Sequence, residues 1–185
     1  MKKILFIIPL ILIIGFSCVP NVIPDGYTLL NQGQEFYIKK DEFTGSSFIK
    51  HKSTFPPSVT NVINMGFFQL YIVQKDNLMI LRVKWDYNST DWIFFDTIYM
   101  MGNNGDKIVW ENIKIYDKET HNDANIVIET VDFLLTFEQI EKIEKILSSP
   151  LVKCRFSGKT NEDKVLKDLD RLGALATVKL YKTMK

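Results

Sequence analysis

Cysteine and histidine are scarce in this chain. Cys18 and Cys154 are the two cysteines of 185 residues, and His51 and His121 the two histidines. So few cysteines leave a fold held by its hydrophobic core and not by a disulfide framework. With two histidines, a Ser-His-acid or Cys-His enzyme has to use one of them. No G-x-S-x-G elbow is present. Ser157 to Thr160 reads "SGKT", the end of a phosphate-binding loop, but the earlier glycine of that loop is missing. Charge of either sign is not in excess: 23 basic residues face 22 acidic ones, a net of +1. That balance argues against nucleic acid as a partner and against electrostatic draw to anionic lipid. Internal repeats and low-complexity tracts are lacking too.

A long hydrophobic run is also missing. The apolar stretch from Ile4 to Phe16 contains Pro9, and Pro20 follows it. A membrane span needs roughly 20 apolar residues for about 30 Å of hydrocarbon. This run reaches only about 20 Å at ~1.5 Å per residue. It fits a signal peptide better: Lys2 and Lys3 form a basic start, Ile4 to Ile14 an apolar middle, and Gly15 and Ser17 supply small residues before Cys18. The sequence Gly15-Phe16-Ser17-Cys18 resembles the lipobox of bacterial lipoproteins. Ser17 and Cys18 match that box, whereas Gly15 and Phe16 depart from its usual leucine and small residue. The resemblance implies a diacylglycerol on the Cys18 thiol, cleavage before Cys18 and acylation of the new amine. Two or more chains anchor stably where one binds only marginally. The expected organisation is a lipoprotein signal peptide at 1–17, a tether at 18–25 stiffened by Pro20 and Pro24, and one globular domain at 26–185. Without Lys2 and Lys3 the basic count falls from 23 to 21, and the mature side chains sum to about −1.

Beyond the tether, alternation predicts strands. "EFYIKKD" and "SSFIKHK" flank the turn "DEFTG" as a hairpin. "STFPPSVTNVINMG" reads as a loop. "FFQLYIVQ" and "LMILRVKWD" flank "KDN" as a second hairpin, with Met79, Leu81, Val83 and Trp85 on one face and Arg82 and Lys84 on the other. "DWIFFDTIYMM" is apolar on both faces and reads as a covered central strand. Asn104-Gly105 predicts a type I′ turn into "KIVWENIKIYD", with a bulge near Glu111-Asn112. "NIVIETVDFLL" and "LVKCRFSG" complete about eight strands.

Two late helices are expected. Thr136 and Gln139 form a capping box, and Phe137, Ile140, Ile143 and Ile146-Leu147 form an apolar stripe. Pro150 stops this helix. The last helix is expected from Thr160 or Asn161 toward Tyr181. The predicted fold is α+β, a bent antiparallel β-sheet or sandwich with two C-terminal helices.

Candidate sites are few. Asp117, Glu119, His121 and Asp123 stand at every second position, as in the opening of a calcium loop. The sixth position is Asn122 instead of glycine and the twelfth is Ile128 instead of glutamate. We therefore expect a polar turn there, with these four as the candidate metal ligands and no metal or other cofactor bound. Asp86, Asp91 and Asp96 flank Trp85, Tyr87 and Trp92, an arrangement able to bind sugar or peptide. Cys154 is expected in the core. The globular part resembles small uncharacterised bacterial lipoproteins in "KDEFTG" and "DWIFFD…GD", a likeness that carries no activity. The expected role is a membrane-anchored, non-enzymatic binding or structural lipoprotein of the cell envelope. Its place would be the cell membrane or outer membrane, outside the cytoplasm. Its partners would be the membrane, through lipid on Cys18, and an envelope protein or polymer. The alternative is a lipid-anchored envelope enzyme acting on glycan or peptide.

Overall fold

The strand-forming stretches pair into two antiparallel sheets. The computed structural model describes residues 23–30, 35–55, 67–123 and 125–185. Cys18, with the rest of residues 1–22, lies outside the described residues. Among the described residues, the larger sheet holds β1 (Thr28–Leu29), β2 (Phe36–Lys40), β3 (Ser47–His51), β4 (Phe68–Lys75), β5 (Leu78–Ser89), β8 (Lys118–Asp123) and β9 (Ile126–Leu134). Its order is β1-β2-β3-β4-β5-β9-β8. The smaller sheet holds β6 (Thr97–Gly102), β7 (Lys107–Trp110), β10 (Val152–Ser157) and β11 (Asn161–Val165), in the order β11-β10-β6-β7. Helices α1 (Phe137–Leu147) and α2 (Asp168–Met184) come late in the chain, so the fold is α+β.

Period-2 alternation decides what faces inward. Leu81, Val83, Trp85 and Tyr87 of β5 are all buried on one face. Trp85 meets Trp110 at 5.2 Å and Phe156 at 6.0 Å between ring centroids, so the smaller sheet lies over this end of the larger one. The smaller sheet is too narrow to cover the other end. Helix α2 packs there against β3 and β4, burying Ala174, Val178 and Tyr181. Helix α1 packs on α2, β6 and β7. The capping box of α1 is formed as expected: Gln139 N–H donates to Thr136 Oγ1 (3.3 Å), and Thr136 N–H donates to Gln139 Oε1 (2.9 Å). Phe137 departs from the expected stripe and is 69% exposed.

Several expectations are corrected. Three further strands, β1 and the polar β8 and β11, raise the count among the described residues from about eight to eleven. Their pairing is carried by backbone groups, which leave no trace in hydrophobic patterning. Residues 161–165 are β11, paired to β10 from Ser157↔Asn161 to Lys153↔Val165, so α2 begins only at Asp168. The Asn104-Gly105 turn does join β6 to β7. Only Gly105 takes positive φ, at 87°, so it is not type I′. Strand β7 ends at Trp110, and Asn112 takes φ 60°, which breaks the strand where a bulge was expected. The polar turn predicted around Asp117 to Asp123 is mostly the edge strand β8.

The largest departure is residues 91–96, expected as part of a central strand. They run irregularly between the sheets, because their amides have another partner. Glu129 Oε1 accepts from the N–H of Ile93 (3.1 Å) and Phe94 (2.9 Å). Its Oε2 accepts from Lys118 Nζ at 2.9 Å, and Lys118 also donates to the Phe95 carbonyl at 2.8 Å. The side chains of this ion pair are 3% and 0% exposed. Gly158 lies against the same segment: a Cβ there would stand 2.3 Å from the Ile93 carbonyl oxygen and 2.8 Å from Phe95 Cα. Backbone on both sides leaves little room to yield. Gly158→Ala is therefore expected to cost about 1–3 kcal/mol in thermal or urea unfolding. A neutral result would mean that segment 93–95 shifts freely.

Candidate functional site

The outward positions of the larger sheet are polar where the inward ones are apolar. Alternation along β5 turns Arg82, Lys84 and Asp86 to this outer face. Registry sets Tyr71 of β4 beside Arg82 and Lys50 of β3 beside Tyr71. On the other flank, β9 sets Asp132 beside Lys84 and Thr130 beside Asp86. The β2–β3 hairpin, with Asp41, Glu42 and Phe43 at its turn, forms a rim, and Tyr27 lines the groove with it. The result is an open groove of about 660 Å³.

The charges at the centre of this face, Arg82, Asp132, Lys84 and Asp86, are tied down in pairs. Arg82 Nε donates to Asp132 Oδ1 and to the Tyr71 hydroxyl, both at 3.1 Å. Tyr71 in turn donates to Asp132 Oδ2. Burial, and then the bond to Asp132, raises the Tyr71 phenol well above its ordinary value, so it stays a donor. Lys84 pairs with Asp86 Oδ1 at 3.2 Å, and the Thr130 hydroxyl donates to the same oxygen at 2.6 Å. Lys50 differs. Its ammonium sits 5.3 Å from the Tyr71 ring centroid. Among the described residues no carboxylate lies within ion-pair distance of it. Burial lowers its pKa from the ordinary lysine value, and Lys84 lowers it further.

A second open groove, about 440 Å³, lies on the outer face of the smaller sheet beside Tyr99, Met101 and Lys107. Its Arg155 is neutralised by a two-bonded pair with Asp163 at 2.5 and 2.7 Å. Its lysines stand exposed in water, so it offers less than the half-buried Lys50.

The residues singled out in the sequence are dispersed. Trp85 and Tyr87 point into the core while Asp86 between them points out, as strand alternation requires. Asp91 and Asp96 are exposed on the segment between sheets, and Trp92 stacks on Phe94 at 5.9 Å. Asp117 accepts from the Lys114 N–H at 2.8 Å, closing a 3₁₀ turn. Glu119 and His121 are exposed along edge strand β8, which Asp123 closes. No group of three or more His, Cys, Asp or Glu is placed to hold a metal ion among the described residues. Cys154 is 2% exposed, and burial drives its thiol pKa far up, as expected of a core residue. Cys18, the expected lipidation site, lies outside the described residues.

His51 lies 2.9 Å from Ser53 Oγ, the spacing of a nucleophile and its base. The geometry is that of a cap. His51 Nδ1 accepts from the Ser53 N–H at 3.1 Å and ends a strand. Helix α2 closes over the pair: a Cβ on Gly173 would fall 2.0 Å from Ser53 Oγ. The adjoining cavity, about 10 Å³, admits at most one water. Burial holds the His51 imidazole below its ordinary 6.5, with Lys52 adding to this and Glu35 opposing it. A base depressed in the folded state contributes stability in full above pH 6.5. That contribution is lost as pH falls from 6.5 through the folded value. The urea midpoint is therefore expected to drop between about pH 7.5 and about pH 5.5, and to drop less in His51→Gln. Equal drops in the two proteins would remove His51 as the cause.

The groove residues were missed in the sequence as a set. Arg82 and Lys84 were legible as the outward face of β5. Nothing local placed Lys50, Tyr71 and Asp132 beside them. In comparisons with protein families, curated proteins and solved structures, this chain matches none.

Proposed function

We propose that this chain is a lipoprotein of the cell envelope, anchored through lipid on Cys18 and facing outside the cytoplasm. Its globular domain binds a ligand and does not transform one. The observation that carries the binding reading is the groove on the larger sheet, where Lys50 is half-buried without a carboxylate partner among the described residues. A buried charge is costly until it is paired. The anchor reading is supported by the short apolar run that ends at Ser17-Cys18. Among the described residues no helix is long and apolar enough to cross a membrane.

An envelope enzyme acting on glycan or peptide would draw on Asp132 in the floor of this groove, with Asp86 beside it on the same face. Both carboxylates are already engaged, Asp86 by Lys84 and Thr130, Asp132 by Arg82 and Tyr71. Such engagement suits positioning more than proton transfer.

Intact mass and detergent-phase partitioning, run beside Cys18→Ala, test the anchor. The expected product begins at Cys18, carries at least a diacylglycerol and partitions into detergent. The variant loses both properties. An unlipidated product, or one cut elsewhere, would overturn the anchor.

A further inference from the structure

We infer that the groove on the larger sheet takes a saccharide bearing an anionic substituent, with the anion seated between Lys50 and Lys84 and the sugar ring laid on Phe48, at the edge of Tyr71. This deepens the binding reading above and rests on it.

Three observations point to this chemistry. The first is charge. Four lysines line the groove against three carboxylates, and Arg82 already holds one of those, Asp132. Lys50 has the Tyr71 ring beneath it and, among the described residues, no counter-ion, and burial together with the nearby Lys84 charge disfavours its ammonium. A carboxylate or phosphate oxygen between the two lysines would meet charge-assisted donors in a partly desolvated place.

The second is surface shape. The Phe48 and Tyr71 rings lie side by side, 6.4 Å apart and tilted by 32°. Tyr71 is 7% exposed and lies under Lys50, so the half-buried Phe48 supplies the open apolar surface, and the C–H face of a pyranose stacks on such a ring. Glu42 on the rim and Asp132 in the floor supply oxygens that accept from hydroxyls.

The third is what the backbone has already spent. Between β3, β4, β5 and β9 the main-chain groups are used in ladders. A peptide recognised by strand addition needs a free edge. This face offers side chains only, which suits a hydroxylated ring with an anionic group better than an extended peptide.

The test uses the full-length protein in detergent micelles and NMR titration with four probes. They are a galacturonic acid pentamer, mannose 6-phosphate, the neutral pentamer maltopentaose and inorganic phosphate. The expected result is saturable binding of at least one anionic sugar, with shifts at Lys50, Tyr71 and Lys84. The pentamer and mannose 6-phosphate distinguish a carboxylate from a phosphate source. Lys50→Gln is expected to weaken that binding about tenfold or more, and Lys50→Arg to restore part of it. Far-UV circular dichroism melts confirm that both variants fold. If Lys50→Gln does not fold, Lys50→Arg and the loss of binding at raised salt carry the test.

Maltopentaose binding as tightly as the acidic pentamer would overturn the anionic assignment while leaving a glycan-binding groove. Inorganic phosphate binding as tightly as both sugars would remove the sugar from the inference. No groove shifts with any probe, or anionic binding untouched by Lys50→Gln, would overturn the inference outright. The anchor stands or falls separately, on the mass of the Cys18 product.

Discussion

Glu129→Gln is expected to lower stability by about 3–5 kcal/mol, because it strands the buried Lys118 ammonium against a neutral amide. Lys118→Met should cost a similar amount, leaving a buried carboxylate with two amide donors and no cation. The pair ties edge strand β8 to segment 93–95, and through it joins the two sheets. The informative measurement is a double-mutant cycle on urea unfolding. In Lys118→Met with Glu129→Gln both charges are gone, and the glutamine oxygen still accepts from Ile93 and Phe94. The double variant is expected to recover most of the loss. If each single change costs under about 1 kcal/mol, segment 93–95 is held by something else. A loss of 3–5 kcal/mol is a large part of the 5–15 kcal/mol typical of a folded domain, so the single variants should melt far earlier.

Phe156→Ala is expected to cost about 3–5 kcal/mol, by lost transfer energy and by the cavity left behind. Phe156 is fully buried, and its ring stands 5.2 Å from Phe95, 5.7 Å from Tyr87 and 6.0 Å from Trp85. These neighbours come from the larger sheet and from the segment between the sheets, so they cannot all close the gap at once. Phe137→Ala is the matched control. Phe137 is 69% exposed on the first turn of α1, and its loss should stay within about 0.5 kcal/mol. Thermal unfolding of the two variants side by side separates burial from residue type. Similar melting points would mean that the aromatic cluster is less tightly packed than its ring spacings imply.

The contrast between these two phenylalanines shows where sequence reading stops. Both lie in clear apolar patterns, Phe156 beside Val152 and Cys154 and Phe137 ahead of Ile140. Period predicts a shared face, but not whether anything covers the whole of it. In β10 the larger sheet covers the face. In α1 the first turn projects past its neighbours.

Polar strands failed for a related reason. β8 and β11 carry almost no hydrophobic signal, and their strand character comes from backbone pairing with β9 and β10. The helix expected from Thr160 or Asn161 is the same error in reverse: the competing ladder to β10 prevails there. At residues 91–96 an apolar run was read as a strand, and a distant carboxylate took its amides.

What composition and local pattern settled was the class and its parts. Scarce cysteine required a packed core, and alternation marked the principal strands and the inward face of β5. Thr136 and Gln139 started α1. Each of these rests on physics acting over a few residues: side-chain period, capping and turn geometry. What depended on the folded chain was adjacency. Glu129 meets Ile93 from 36 positions away, and Arg82 meets Asp132 from 50. Such contacts exist only after strands pair across the sheet, and pairing is a property of the whole chain's packing. The ion pair between the sheets and the cationic groove outside them both belong to that level, which is why neither was legible in the order of the residues.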